Sequence, residues 1–353
     1  MAGHKVSSIG AFVEGFGDGL FSVGVDVHKR SYSVCLLRPD GIERHWRMPA
    51  DPGVLTALLS SLPIKIGTIC HEAGPTGFGL ARHLERAGLQ VLVAAPSRIP
   101  RPVAATNKTD GLDCVKLAEY AASGLLRGIA IPTQREEAFR TLCRRRHQLT
   151  DSLRKAKQRI RALLLTLGEV EPSGIDKWGV AAVSKLRAMK LAAGVQDTLD
   201  SLLNEMDFLA GQQRTVDLRL RDLAGEQDEA RRIAAMRSVP GVGPVVATTF
   251  AAEIFRPRRF NDGGEVAAYL GLAPVVRHSG EKTPKGRLRP VGQRRLRSLL
   301  VEAAWVWKQR DEQAREFYNI ILGRTGVPQK AIAALARKLA VRLWRLSLPP
   351  ATA

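Results

Sequence analysis

Strand-like alternation in this chain stops at Ala94, and nothing after Glu136 brings it back. A chain broken in that way must place an α/β layer first and build the remainder from helices. Before the break, Phe21–Asp26 is an apolar run that ends in a carboxylate. Ser31–Leu37 alternates, Pro39-Asp40-Gly41 supplies turn chemistry, and Ile42–Met48 reads as a third strand of a meander. Val54–Leu62 reads as a helix, Ile66–Cys70 as a strand, Thr76–Ala87 as an amphipathic helix stopped by Gly88, and Gln90–Ala94 as the fifth strand. A further helix runs from about Thr109 to Ser123. The order βββαβαβα predicts a mixed sheet. Residues 1–20 match no such pattern and read as a leader without fixed structure.

Past the break, Leu142, Leu149, Leu153, Ile160, Leu163, Leu164 and Leu167 recur at helical spacing. After Glu171-Pro172-Ser173-Gly174 the helical pattern resumes near Val180 and continues through Leu199–Leu223. This predicts a long helical hairpin or coiled-coil arm over residues 132–225. Residues 226–353 read as helices joined by two unusual connections, Ser238–Pro244 and Val276–Gly292.

Charge narrows the partners. The chain has 353 residues and a formal net charge of +20. Residues 1–131 contribute +3, residues 132–225 contribute +5, and residues 226–353 contribute +12. A surplus of that size fits a polyphosphate, because each neutralised phosphate releases counterions. Arg140–Arg161 alone holds nine basic residues against the single acid Asp151. Such a helix face serves as a spacer or dimer contact, or lies along a nucleic-acid backbone. Four scattered cysteines without a Cys-x-x-Cys pair argue against a disulfide scaffold and a zinc module. No apolar run approaches the roughly 18 residues of a spanning helix, so no membrane partner is expected, and a soluble intracellular protein is.

Carboxylates mark the first domain. Asp26 ends the first strand and Glu72 follows the fourth. In this topology those strand ends are neighbours. Asp110 and Asp113, three apart at the start of a helix, share a face and can come over them. Four clustered acids repel unless a cation intervenes, and oxygen ligands with a phosphate substrate favour Mg²⁺. Taken singly, the same acids could be helix caps or turn residues.

The C-terminal connections carry a second signal. Val239-Pro240-Gly241-Val242-Gly243 between two helices fits a helix-hairpin-helix element, in which glycines and a helix N-terminus meet a phosphate. A plain tight turn would look similar. In Arg277-His278-Ser279-Gly280-Glu281-Lys282-Thr283-Pro284-Lys285-Gly286-Arg287-Leu288-Arg289, one serine sits among five basic residues, and Arg294 extends the basic surface onto the next helix. Ser279 could attack a phosphodiester or simply contact a phosphate.

These residues together resemble the bacterial insertion-sequence-110 family of transposases, the DEDD or bridge-RNA-guided recombinases. The resemblance is carried by Val23-Gly24-Val25-Asp26-Val27-His28-Lys29, His71-Glu72-Ala73-Gly74-Pro75-Thr76-Gly77 and Asn107-Lys108-Thr109-Asp110-Gly111-Leu112-Asp113. It continues through Val239–Gly243, Tyr269-Leu270-Gly271-Leu272-Ala273-Pro274, Ser279-Gly280 and Leu299-Leu300-Val301-Glu302-Ala303-Ala304. The resemblance implies a RuvC-like domain of the ribonuclease H fold over residues 21–131, with Asp26, Glu72, Asp110 and Asp113 as its Mg²⁺ ligands. It implies a dimerising coiled coil in the arm. It makes Ser279 the nucleophile of a covalent 5′-phosphoserine link in the C-terminal domain. Gly241, Gly243, Arg277, Lys282, Lys285, Arg287, Arg289 and Arg294 become the DNA- or RNA-binding set. The implied assembly is a homodimer that pairs into a tetramer on element-junction and target DNA, guided by an element-encoded RNA, in the bacterial cytoplasm at the nucleoid.

The chain departs from the family pattern in two places. His278 precedes a single serine where Ser-Ser-Gly is common, and Leu288-Arg289-Pro290-Val291-Gly292-Gln293 replaces Ile-Thr-Lys-x-Gly-Asn. Competing functions are a junction-resolving nuclease that uses water as nucleophile and a non-catalytic nucleic-acid-binding protein. A sugar kinase or actin-like ATPase would need a Gly-containing turn after Asp26, where Val27-His28-Lys29 stands.

Overall fold

The computed structural model describes residues 9–16, 18–100, 110–274 and 292–349, with the side chains of residues 110–112 and 227 left aside. It divides into two compact units, residues 1–133 and 134–353.

The first unit is built on a five-stranded sheet, β1 (Leu20–Val27), β2 (Ser31–Leu37), β3 (Glu43–Pro49), β4 (Lys65–Glu72) and β5 (Val91–Ala94), in the order β3-β2-β1-β4-β5. The β1–β2 and β2–β3 pairs are antiparallel, whereas β4 and β5 run parallel to β1. This is the mixed sheet expected from the meander followed by crossovers.

Strand alternation sends side chains to two different cores. Phe21, Val23, Val25, Val34, Leu36 and Ile69 are buried on one face. Against them pack Leu55 and Leu59 of α1 (Pro52–Ser61) and Leu80 and Leu84 of α2 (Gly79–Arg86). Asp51 starts α1 by accepting from the Gly53 and Val54 amides at 2.8 and 3.1 Å, with Pro52 at the first helical position.

Residues 9–13 form a helical turn whose Ile9 and Val13 join this core. Described residues of the leader are therefore structured, through apolar side chains too few to show a period. Helix α2 starts three residues later than its apolar pattern suggests. Residues 75–78 turn instead, with Gly77 at φ +73°.

The opposite face belongs to α3 (Asp110–Ala122), whose Cys114, Val115, Leu117 and Ala118 cover Cys35, Leu37, Cys70 and Ala94. Gly24 sets how closely α3 docks. A Cβ there would lie 1.9 Å from the Cys114 carbonyl oxygen and 2.7 Å from the Ala118 nitrogen.

The described residues of the second unit form helices and the connections between them. Helix α4 (Gln134–Leu167) has 34 residues, about 50 Å at 1.5 Å per residue. It pairs with α6 (Ala193–Ala224). Contacts Arg146–Asp217, Gln213–Thr150 and Arg159–Glu205 advance along one helix as they retreat along the other, so the pair is antiparallel. Ile160 and Leu164 meet Leu199, Leu203 and Met206 in the seam, closed by Ile175 and by Leu186 of α5 (Val180–Ala188). The helical pattern that resumes at Val180 breaks between α5 and α6. Gln196 Oε1 accepts from the Leu191 amide at 3.2 Å there.

The remaining helices are α7 (Gln227–Arg237), α8 (Pro244–Glu253), α9 (Gly263–Tyr269), α10 (Arg294–Arg310), α11 (Glu312–Thr325) and α12 (Pro328–Ser347). Helix α12 is their apolar centre, burying Ile332, Leu335, Leu339, Leu343 and Trp344. Trp344 Nε1 donates to the Pro257 carbonyl at 2.9 Å, which satisfies the one polar atom that ring brings inside. No helix among the described residues is long and apolar enough to cross a membrane.

Candidate active site and nucleic-acid interface

Asp26 and Glu72 stand at the same end of neighbouring parallel strands. Gly24 is level with Cys70 and Val25 with His71, so the next position along each strand is Asp26 and Glu72. Alternation puts both acids on the face that carries Gly24 and Cys70, the face under α3. Asp113 precedes Cys114, the residue docked on Gly24, so the start of α3 lies over this edge. Burial, followed by the negative charge of Asp26, pushes the Cys114 thiol up to about 11, a second sign that the end of β1 and the first turns of α3 are close. Asp110 opens α3, and its side chain lies outside the described residues.

Among the described residues, no three His, Cys, Asp or Glu side chains are gathered at metal-holding distance. The donor set itself is all oxygen and suits a hard cation such as Mg²⁺. Asp26 is half-buried, and His28 Nε2 lies 2.9 Å from its Oδ2. His28 itself is exposed, in the connection that follows β1. The contact is local, between residues two apart where β1 ends.

His71 is the structural histidine that its place in a strand suggests. It faces the opposite core, 1 % exposed, with Nδ1 3.0 Å from the Glu72 carbonyl oxygen and Nε2 without a hydrogen-bond partner. Burial holds its pKa below the ordinary histidine value.

In the second unit, α7 and α8 are joined by the Val239–Gly243 connection. Gly241 takes φ +86°, and a Cβ there would meet the Ala303 carbonyl oxygen of α10 at 2.7 Å. Its glycine is thus needed for packing onto α10. Gly243 precedes α8 and is exposed with open space around it. Arg294 is exposed at the start of α10.

Arg277, Ser279, Lys282, Lys285, Arg287 and Arg289 lie outside the described residues. The stem on either side of their segment is described. Gly292, at φ +89°, abuts the Tyr269–Gly271 backbone so tightly that a Cβ would come within 2.6 Å of the Gly271 nitrogen. The Gln293 amide donates to the Tyr269 carbonyl at 3.3 Å, and Arg297 donates to the Gly271 carbonyl at 3.3 Å.

A buried carboxylate underlies this stem. Glu253, 1 % exposed, accepts from Arg144 Nε and NH2 at 3.0 and 3.1 Å and from Arg140 Nε at 3.3 Å, and lies 3.7 Å from Arg295 NH1. Hydrogen bonding to Glu253 raises the Arg144 pKa further. Tyr269 Oη reaches the Glu253 carbonyl at 3.4 Å.

The Arg140–Arg161 run is therefore no uninterrupted cationic face. Besides Arg140 and Arg144, Arg146 pairs with Asp217, Arg154 and Lys155 with Asp151, Arg159 with Glu205 and Arg161 with Glu171. Their partners on other elements are distant in sequence, which is why counting charge along the run missed them.

Comparison with known proteins finds a family match in each of two stretches of the chain. Residues 23–168 match the DEDD transposase family model, and residues 233–319 match the family described as Transposase IS116/IS110/IS902. A Sinorhizobium fredii protein that carries a transposase name, y4qE, is 30 % identical over 291 residues, spanning 81 % of this chain and 71 % of that protein. The transposase for insertion sequence element IS1533 of Leptospira borgpetersenii is 24 % identical over 332 residues, spanning 92 % of this chain and 94 % of its own. The transposase for IS1328 of Yersinia enterocolitica is 26 % identical, spanning 91 % and 95 %. With both family regions present in order and a relative of this identity and span, the chain belongs to the IS110 family of insertion-sequence transposases.

Proposed function

We propose that the chain cuts and rejoins DNA with two sets of groups, the acids at the β1–β4 edge and Ser279 of the C-terminal region. The observation that carries the reading is the placement of Asp26 and Glu72 side by side on one sheet face, beneath a helix docked through Gly24. Asp26, Glu72, Asp110 and Asp113 would hold Mg²⁺, which when bound supplies positive charge to the phosphate oxygens.

Ser279 Oγ attacks phosphorus, an Oγ–P bond forms, and the bond from phosphorus to the 3′ oxygen breaks. The serine proton ends on the departing 3′ oxygen. The 5′-phosphoserine link keeps the energy of the broken bond, so a 3′-hydroxyl of another strand can reverse the step and release Ser279 without an outside energy source. Arg277, Lys282, Lys285, Arg287, Arg289 and Arg294 hold backbone phosphates near that serine, and the Gly241–Gly243 hairpin offers backbone N–H groups to another.

In this reading residues 21–131 are a RuvC-like domain, residues 132–225 a coiled-coil arm that brings two copies together, and residues 226–353 the serine-bearing domain with its helix-hairpin-helix element. Dimers pair into a tetramer on element junction and target. A guide RNA from the element selects the sites, in the bacterial cytoplasm at the nucleoid. The +12 surplus of the last region supports a second polyanion beside DNA.

The test is recombination of a plasmid carrying the chain's own element. Asp26→Asn is expected to abolish product while leaving DNA affinity in the presence of a chelator within about twofold, since binding rests on the basic residues. Recombination by Asp26→Asn at the wild-type rate removes the acids from the chemistry.

A further inference from the structure

β3 is an edge strand, and its register carries a cation to the level of the acids. Asp26 lies opposite Ser33, and Ser33 lies opposite Arg47. Alternation then places Asp26, Ser33 and Arg47 on one face of the sheet. β3 runs in the same direction as β1, and Arg47 comes two residues before its end at Pro49. Two strand spacings, about 10 Å, separate the Arg47 backbone from that of Asp26.

The Arg47 side chain is held in place. Its Nε and NH2 donate to Ser31 Oγ at 3.0 and 2.9 Å, and Ser31 is a buried residue of β2. The guanidinium thus folds back across β2 instead of projecting away from the sheet edge. Those two bonds fix the plane of the guanidinium. Exposed Lys29 and Arg30, in the β1–β2 connection, add positive charge at the same end of the sheet.

Edge strands commonly carry charge to prevent pairing with another chain. Exposed Arg44 and His45 already do so on β3. Arg47 differs in having its own hydroxyl support on the acid face.

We propose that Arg47 contacts substrate. It takes, as a fixed fork, a backbone phosphate of the DNA strand that crosses Asp26 and Glu72, close to the phosphate that reacts. The inference rests on the reading of that edge as the place of strand chemistry.

The test uses the full-length chain and a 30-base-pair duplex from the end of its own element. Fluorescence anisotropy is followed in chelator across a potassium chloride series, with the melting temperature of each variant measured alongside. Arg47→Gln is expected to bind about tenfold more weakly, the size of one lost charge-assisted hydrogen-bonded contact. Its log-affinity against log-salt slope should be shallower by about 0.9, the value for one phosphate. Arg47→Lys should restore the slope and only part of the affinity, because it keeps the charge and lacks the fork. Ser31→Ala should keep the slope and lose less affinity than Arg47→Gln.

A wild-type slope in Arg47→Gln overturns the inference, whether or not its melting temperature falls, and leaves Arg47 as a guard of the sheet edge. Recombination in the same plasmid assay separates the two readings. If Asp26→Asn recombines normally, the acid-edge reading fails. If Asp26→Asn is inactive while Arg47→Gln binds like wild type, only the role of Arg47 falls.

Discussion

At Gly24 a single missing Cβ lets the helix that carries Asp110 and Asp113 reach the strand that carries Asp26. Gly24→Ala should therefore act twice. The added carbon has backbone, not a flexible side chain, 1.9 Å away, so α3 must lift and lose about 1–3 kcal/mol of packing. Urea unfolding of the first unit should show that loss, and recombination should fall further than stability alone explains, because the first turn of α3 moves with it. Wild-type stability in Gly24→Ala would mean that α3 does not dock through this contact. At this scale the strand-end acids were legible in the sequence, since an apolar run ending in a carboxylate marks both the strand and its edge. The Arg47–Ser31 contact was not, because it depends on how the β2–β3 hairpin closes in space.

Among the elements, Glu253 ties three helices together: its own α8, α4 through Arg140 and Arg144, and α10 through Arg295. Removing one partner of a buried pair leaves uncompensated charge, so Glu253→Ala should destabilise the second unit by about 3–5 kcal/mol. Glu253→Gln should recover a minor part of that, since an amide oxygen still accepts but carries no charge. Chemical denaturation of both variants checks this, and a loss below about 1 kcal/mol in Glu253→Ala contradicts a hub role. Helix existence in this unit was legible from the leucine spacing. The paired fate of the Arg140–Arg161 run was hidden, because Glu253, Asp217 and Glu205 come from helices far along the chain. The break before α6 was hidden too; there the Leu191 amide turns to the Gln196 side chain.

Over the whole molecule, two compact units should unfold as two reporters. All four cysteines are buried and free, Cys35, Cys70 and Cys114 in the first unit and Cys143 in the second. Burial pushes the thiols of Cys70 and Cys143 up to about 12 and raises Cys35 as well. At pH 8 the folded protein should resist alkylation, because the reactive thiolate is scarce and enclosed. In rising urea the first three should become reactive together, with Cys143 following the midpoint of the second unit. Mass-spectrometric peptide counting measures this, and a thiol that reacts rapidly without denaturant contradicts the burial. Fold class and the change from mixed sheet to helices were readable from where strand alternation ends. The ties between α4 and the later helices were less so, because they are long-range ion pairs such as Arg144–Glu253.

The central claim is that strand chemistry joins the acids of the β1–β4 edge to Ser279. Its most direct measurement is mass spectrometry of protein–DNA adducts after the chain has acted, with Mg²⁺, on a plasmid carrying its own element and any RNA that element encodes. The account predicts one nucleotide-bearing peptide, with the phosphate on Ser279, absent from Ser279→Ala and from Asp26→Asn. Cut DNA with no adduct, or an adduct on another residue that survives Ser279→Ala, would contradict it.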